Sequence, residues 1–106
     1  MKILFIHQSF PAQYRHIVNA LAKHNCHQII ALGIHAPTEK IPKNVTYYRY
    51  KLEQGTTKDI HPWVAETETK VIRAEACGEA AFELKKRGFT PDIICAHPGW
   101  GEALFL

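Results

Sequence analysis

Three cysteines, at positions 26, 77 and 95, are too few to staple a small fold, and an odd number cannot all pair within one chain. No CxxC occurs, and Cys95-Ala96-His97 is too isolated to read as half a zinc site, so a reduced, cytoplasmic setting is the simplest account. A metal site would require His7, Cys95 and His97 to converge, and the expectation is no metal and no bound cofactor. Long apolar runs are missing as well. The opening MKILFIHQSF has one Lys and a four-residue apolar run before His7, short of a secretory leader and far below the roughly 18 residues that span a bilayer. Contact with the inner face of a membrane stays open. Charge of one sign is scarce: 13 Lys plus Arg against 10 Asp plus Glu leave +3, which is no nucleic-acid signature, although seven His add positive charge at acid pH. The glycine-rich signatures are absent too. Without GxGxxG, GxxxxGK[ST] or GxSxG, the dinucleotide, P-loop and serine-hydrolase mechanisms lose their main warrants.

What is present is 106 residues of ordinary globular composition, 46% hydrophobic and 22% charged, with six Gly and six Pro, which excludes wholesale disorder and a second full catalytic domain. Ile3-Leu4-Phe5-Ile6 is the continuous apolar run of a central parallel strand covered on both faces. After the break at His7-Gln8-Ser9-Phe10-Pro11, Tyr14, Ile17, Val18 and Leu21 recur at helical spacing. A helix is expected from Ala12 to about Lys23, starting near Pro11, which suits a first-turn position. His27 to Leu32 reads as a second strand released by Gly33, and Val45 to Tyr50 as a third, polar enough to lie at or near an edge. Pro62 to Arg87 is the longest periodic segment, with Val64, Val71, Ala74, Gly78, Ala81 and Leu84 near one side. Gly88 fits the position just past its end, after the basic run Lys85-Lys86-Arg87. Pro91 to Ala96 is a short fourth strand. Glu102 to Leu106 then begins another helical or apolar run and stops, which suggests a truncated reading frame with apolar surface free for self-association. The expected fold is α/β: an open, mostly parallel, Rossmann-like sheet of order 3-2-1-4 with helices on both faces, forming one domain over residues 1–106.

In such a sheet ligands bind beyond the carboxyl ends of the strands, where strand order reverses. His7, Gln8 and Ser9 follow the first strand; His97, Gly99, Trp100, Gly101 and Glu102 follow the fourth. If those strands are neighbours, imidazole, amide, hydroxyl and carboxylate groups converge on a polar, multi-hydroxyl ligand. Each residue also has a plainer reading. His7 and His97 can simply end strands, and Ser9 can cap the first helix. Gly99 and Gly101 can serve turn geometry or offer N–H groups to an oxyanion. Glu102 can be a first-turn helix carboxylate, and Trp100 can stack on a sugar or fill a boundary. His16, His24 and His27 read as surface groups, and His61 as structural at a helix start.

The opening KILFIHQSFPAQYRHIVNALAKHNCHQIIAL and the closing PDIICAHPGWGEALFL, with its HPGWGE loop, resemble the N-terminal domain of group 4 glycosyltransferases, within the GT-B class. The resemblance implies a retaining transfer of a sugar from a nucleotide-sugar donor to a hydroxyl-bearing acceptor, a sugar or glycolipid. The N-terminal domain would hold the acceptor, and a C-terminal domain of similar fold, absent here, most of the donor. By motif position His97 resembles the family histidine near donor sugar and phosphate, and His7 and Gln8 fall in the first-loop region. Many relatives carry a Gly-Gly pair in that loop where this chain has Gln8-Ser9-Phe10-Pro11-Ala12. The isolated chain is expected to be inactive. Two rivals stand beside this reading: a Rossmann-like small-ligand or regulatory module, and a non-catalytic fragment that oligomerises.

Overall fold

A computed structural model describes residues 1–106. Four strands, β1 (Lys2–Ile6), β2 (Gln28–Gly33), β3 (Val45–Arg49) and β4 (Ile93–Ala96), form one wholly parallel sheet in the order β3-β2-β1-β4. The strands are covered by helix α1 (Arg15–Ala22) on one face and helix α2 (Pro62–Lys86) on the other. The central pair is in register from Lys2 opposite Gln28 to Ile6 opposite Leu32, and β1 meets β4 from Ile3 opposite Ile93 to Ile6 opposite Ala96.

The pleat sorts the apolar runs into two cores. Ile3, Phe5, Ile29, Ala31 and Val45 face Tyr14, Val18 and Ala22 of the α1 layer, while Leu4, Ile6, Ile30 and Leu32 face Cys77 and Leu84 of α2, with Phe89 beyond it. Because β1 and β2 are buried on both faces, their sequences read as unbroken hydrophobic runs rather than as alternation. Phe10 seals the first core, its ring stacked on Tyr47 at 5.6 Å and tilted against Phe5 at 6.2 Å.

Three expectations need correction. The first helical stretch does begin at Ala12, but as a 3₁₀ turn over Ala12–Tyr14 with α1 following it, and no side chain caps either, so Ser9 is not its cap. Along α2, Val64 and Val71 are exposed, and the buried residues are Ile72, Ala74, Cys77 and Leu84. The helix is about 37 Å long, against less than about 20 Å for the strands, so its first ten residues, none of them buried, extend past the strands and meet only loop segments, at Thr57 and Gly101. Finally, Glu102 to Leu106 forms successive turns and no helix.

The ends of α2 follow the sequence more closely. His61 caps it, its Nδ1 accepting from the Trp63 N–H at 3.1 Å, ahead of Pro62 in the first turn. Gly88, at φ +91°, turns the chain out of the helix. His16 and His24 are exposed and His27 is half-buried. No helix is long and apolar enough to cross a membrane.

Candidate site at the carboxyl ends of the strands

Backbone hydrogen bonds carry the order of the sheet past the strand ends. His7 N–H donates to Leu32 O (3.1 Å), Ile34 and His35 N–H both donate to Gln8 O (3.0 Å), and Tyr50 N–H donates to Gly33 O (3.0 Å). His7, Gln8 and Tyr50 are thereby fixed as rigid continuations of β1 and β3. Since β1 and β4 are neighbours, the loop after β4 lies beside the loop after β1, and the two expected groups do meet.

The meeting is aromatic at its centre. Trp100 stacks on the His97 ring at 4.0 Å and 16°, and His7 sets its edge against Trp100 at 4.9 Å and against His97 at 6.2 Å. Each imidazole is oriented the same way. Ser9 N–H donates to His7 Nδ1 at 3.0 Å and Gly99 N–H to His97 Nδ1 at 3.1 Å, which leaves Nε2 to carry the hydrogen in either neutral ring. Gly99 and Ser9 therefore spend their amides within the loops and do not offer them to a ligand. Burial holds the His7 pKa below its usual value, His97 pushes the same way, and the Glu102 carboxylate opposes them.

Glu102 is neither exposed nor in a helix. At 2% exposure it lies under the loop, where its Oε1 accepts from Gln8 Nε2 at 2.6 Å and from the Tyr50 hydroxyl at 3.2 Å. Its Oε2 is buried with no partner. Gly101 makes this burial feasible. Its φ is +96°, and a Cβ there would collide with the backbone carbonyl of Lys70, so the loop can press against α2 only with glycine.

Tyr50 is the site residue that sequence reasoning missed. It reads there only as the end of a β-prone run, and its partner is 52 positions away. Burial and then Glu102 raise its pKa beyond the ordinary tyrosine range, so the hydroxyl is a permanent donor. Cys77 beneath it is pushed up to about 12, by burial first and Glu102 second, which leaves an inert thiol. Ser9 is exposed at the lip, whereas Cys95 is half-buried, its thiol pKa raised by burial. No group of three or more His, Cys, Asp or Glu side chains is placed to hold a metal ion. A groove of about 710 Å³ beside α2 is lined by Tyr50 with Glu53, Glu75, Glu79 and Glu83 and does not include the histidines.

A parallel sheet with polar loops at the β1 and β4 ends is shared by many unrelated enzymes, and here the family decides. The family model described as "Glycosyl transferase family 4 group" matches residues 25–106, more than three quarters of the chain. The chain belongs to that family. The match runs from the turn before β2 through β3, α2 and β4 to the His97–Glu102 loop, and β1 and α1 precede it. Comparisons with curated proteins and with solved structures give no significant match. In this glycosyl transferase family 4 chain, the Nε2 positions of two imidazoles, an indole face and an exposed hydroxyl gather at one end of the sheet. Such a set can hydrogen-bond phosphate or sugar oxygens and stack on a sugar ring.

Proposed function

We propose that this chain forms the acceptor-side, N-terminal part of a retaining GT-B glycosyltransferase. The enzyme would move a sugar from a nucleotide-sugar donor to a hydroxyl of another sugar or a glycolipid, in the cytoplasm and, for a lipid acceptor, at the inner face of the membrane. The observation that carries the reading is the His7–Trp100–His97 cluster at the β1 and β4 ends, in a chain of this family. His97 is the proposed catalytic group. Its Nε2–H would donate to the donor sugar or to the departing phosphate as charge builds there, and Trp100 and the Gly99 amide fix the ring.

His7, Gln8, Ser9 and the loop Gly99, Trp100, Gly101 and Glu102 form the surrounding wall. Ser9 and Trp100 are suited to touch ligand, while Glu102 and the two glycines support the loop from behind. The reaction would proceed by positioning and by stabilising an oxocarbenium-like centre and its leaving phosphate. All these donors lie on one wall, which favours a second, donor-holding domain facing them, and the isolated chain is then expected to show no turnover.

In the enzyme that contains this chain, His97→Ala should lower kcat and kcat/KM together by about 10²-fold or more. Steady-state kinetics and thermal unfolding on one preparation test it. Near-normal kcat in a folded variant would remove His97 from the chemistry. Product formed from nucleotide sugars by the 106-residue chain alone would remove the two-domain requirement. A second reading, association without catalysis, is favoured by the exposed Ile93, Ile94, Leu104 and Phe105.

A further inference from the structure

Glu102 poses a physical problem that its membership in a ligand wall does not solve. A carboxylate 98% removed from solvent has only one of its oxygens satisfied, and it is reached by donors from two other strand ends. Buried carboxylates are costly unless hydrogen bonds or charge partners compensate, so the donors that reach Glu102 hold it and their own loops in one arrangement. In the order β3-β2-β1-β4, Tyr50 follows β3 at one edge and Glu102 follows β4 at the other. The Tyr50–Glu102–Gln8 bridge thus ties the ends of β3, β1 and β4 together over the α2 side of the core. The loop residue next to it, Gly101, is pressed on Lys70 of α2, and Trp100, one residue further back, supports both imidazoles.

We propose that Tyr50 and Glu102 are a positioning pair, which fixes the His97-to-Glu102 loop on the sheet and presents a negative charge to His7, so that the two imidazoles keep their spacing. The proposal rests on the reading of the histidine cluster as the ligand-binding face and adds to it two residues that do not touch the ligand. Tyr50, permanently protonated, supplies an unvarying hydrogen bond from β3; Gln8 supplies one from β1. The titratable and charged groups that face Glu102 are His7 after β1, Tyr50 after β3 and Cys77 on α2; those that face His7 are His97 and Glu102. Among them only Glu102 favours a charged His7.

The test uses the 106-residue chain, with histidine side chains followed by NMR and with inorganic pyrophosphate as the binding probe. Glu102→Gln keeps an amide oxygen for Tyr50 and Gln8 but removes the charge. It should lower the titration midpoint of His7, leave exposed His16 unmoved, and preserve the His7–Trp100 contacts. Tyr50→Phe removes one hydroxyl from a site that still packs. It should loosen the His7–Trp100 contacts and weaken pyrophosphate binding about tenfold, with the amide spectrum of the sheet retained. A native His7 midpoint in Glu102→Gln, or native His7–Trp100 contacts in Tyr50→Phe, overturns the proposal. If Tyr50→Phe does not fold, the midpoint in Glu102→Gln decides alone. Failure of the unaltered chain to bind pyrophosphate would count against the ligand reading, whereas the midpoint and contact measurements would still decide on the positioning pair.

Discussion

At the scale of single residues, His7 is where burial and charge meet most directly. Its pKa is held low by burial first and His97 second, against the pull of Glu102. A histidine that is harder to protonate folded than unfolded binds fewer protons in the native state, so stability is complete above about pH 6.5 and is lost as pH falls from there toward the lowered native value. The melting temperature of the chain should drop on going from about pH 7.5 to about 5.5. The drop should be clearly smaller in His7→Gln, whose side chain does not titrate; equal drops would show that His7 is not the group responsible. How legible the site was depends on the same residues. His7 and His97 are readable because each directly follows an apolar run that has to be a buried strand, and the end of such a strand is where ligands bind. Tyr50 and the burial of Glu102 are not readable, because a hydrogen bond between positions 50 and 102 leaves no local pattern. The spending of the Gly99 and Ser9 amides on imidazoles is equally invisible, since glycine looks the same in a turn and in an oxyanion cradle.

Among the elements, two glycines at positive φ separate conformation from space. Gly88, just past α2, has φ +91° and nothing near the place of a Cβ; Gly101 has φ +96° and the Lys70 carbonyl there. Gly88→Ala should therefore cost about 1 kcal/mol, the conformational penalty alone. Gly101→Ala should cost roughly 2–4 kcal/mol, because the loop must also lift from α2. Thermal or urea unfolding of both variants measures the difference, and equal losses would show that the contact with α2 contributes nothing. Strands, helix ends and sheet order were legible for a related reason: continuous apolar runs leave β1 and β2 only the central places, and Gly88 and His61 punctuate α2 locally. The inward side of α2 was misread at Val64 and Val71, for periodicity gives the direction a side chain faces and not whether a sheet extends that far. The 3₁₀ form of the turn that opens α1 was not legible, because Pro11 suits a first turn of either helix type.

Across the whole molecule the sheet separates two unlike sides. The α1 layer and the segment packed on it carry Arg15, Lys23, Lys40 and Lys43 with Glu39 as counterion, Arg15 pairing with it at 3.3 Å, while α2 mixes its signs, with Glu66, Glu68, Glu75, Glu79 and Glu83 beside Lys70, Arg73, Lys85 and Lys86. Neither side resembles the edge between them. β4 pairs only with β1, so its outer backbone groups are unpaired, and both of its isoleucines are exposed, Ile93 at 44% and Ile94 at 40%. Ile94 also borders an apolar groove of about 370 Å³ with Phe82, Phe89, Phe105 and Leu106. An exposed apolar edge strand is a template for pairing, and natural proteins blunt such edges with lysine. Asp92 just before it is engaged on the β1 side, where its carboxylate accepts from the Lys2 N–H at 2.7 Å. The chain should therefore associate reversibly as its concentration rises, its mass in sedimentation equilibrium climbing from 12.1 kDa toward twice that value. Salt should weaken this little, since the contact is hydrogen-bonded and apolar, whereas an association through the charged faces of α1 and α2 would dissolve as ions screen it. Ile94→Lys should hold the chain at monomer mass while leaving its melting temperature within a few degrees, for the side chain it replaces is already partly in water. A mass that stays at 12.1 kDa throughout, or association that survives in Ile94→Lys, would place the cohesive surface elsewhere than at β4.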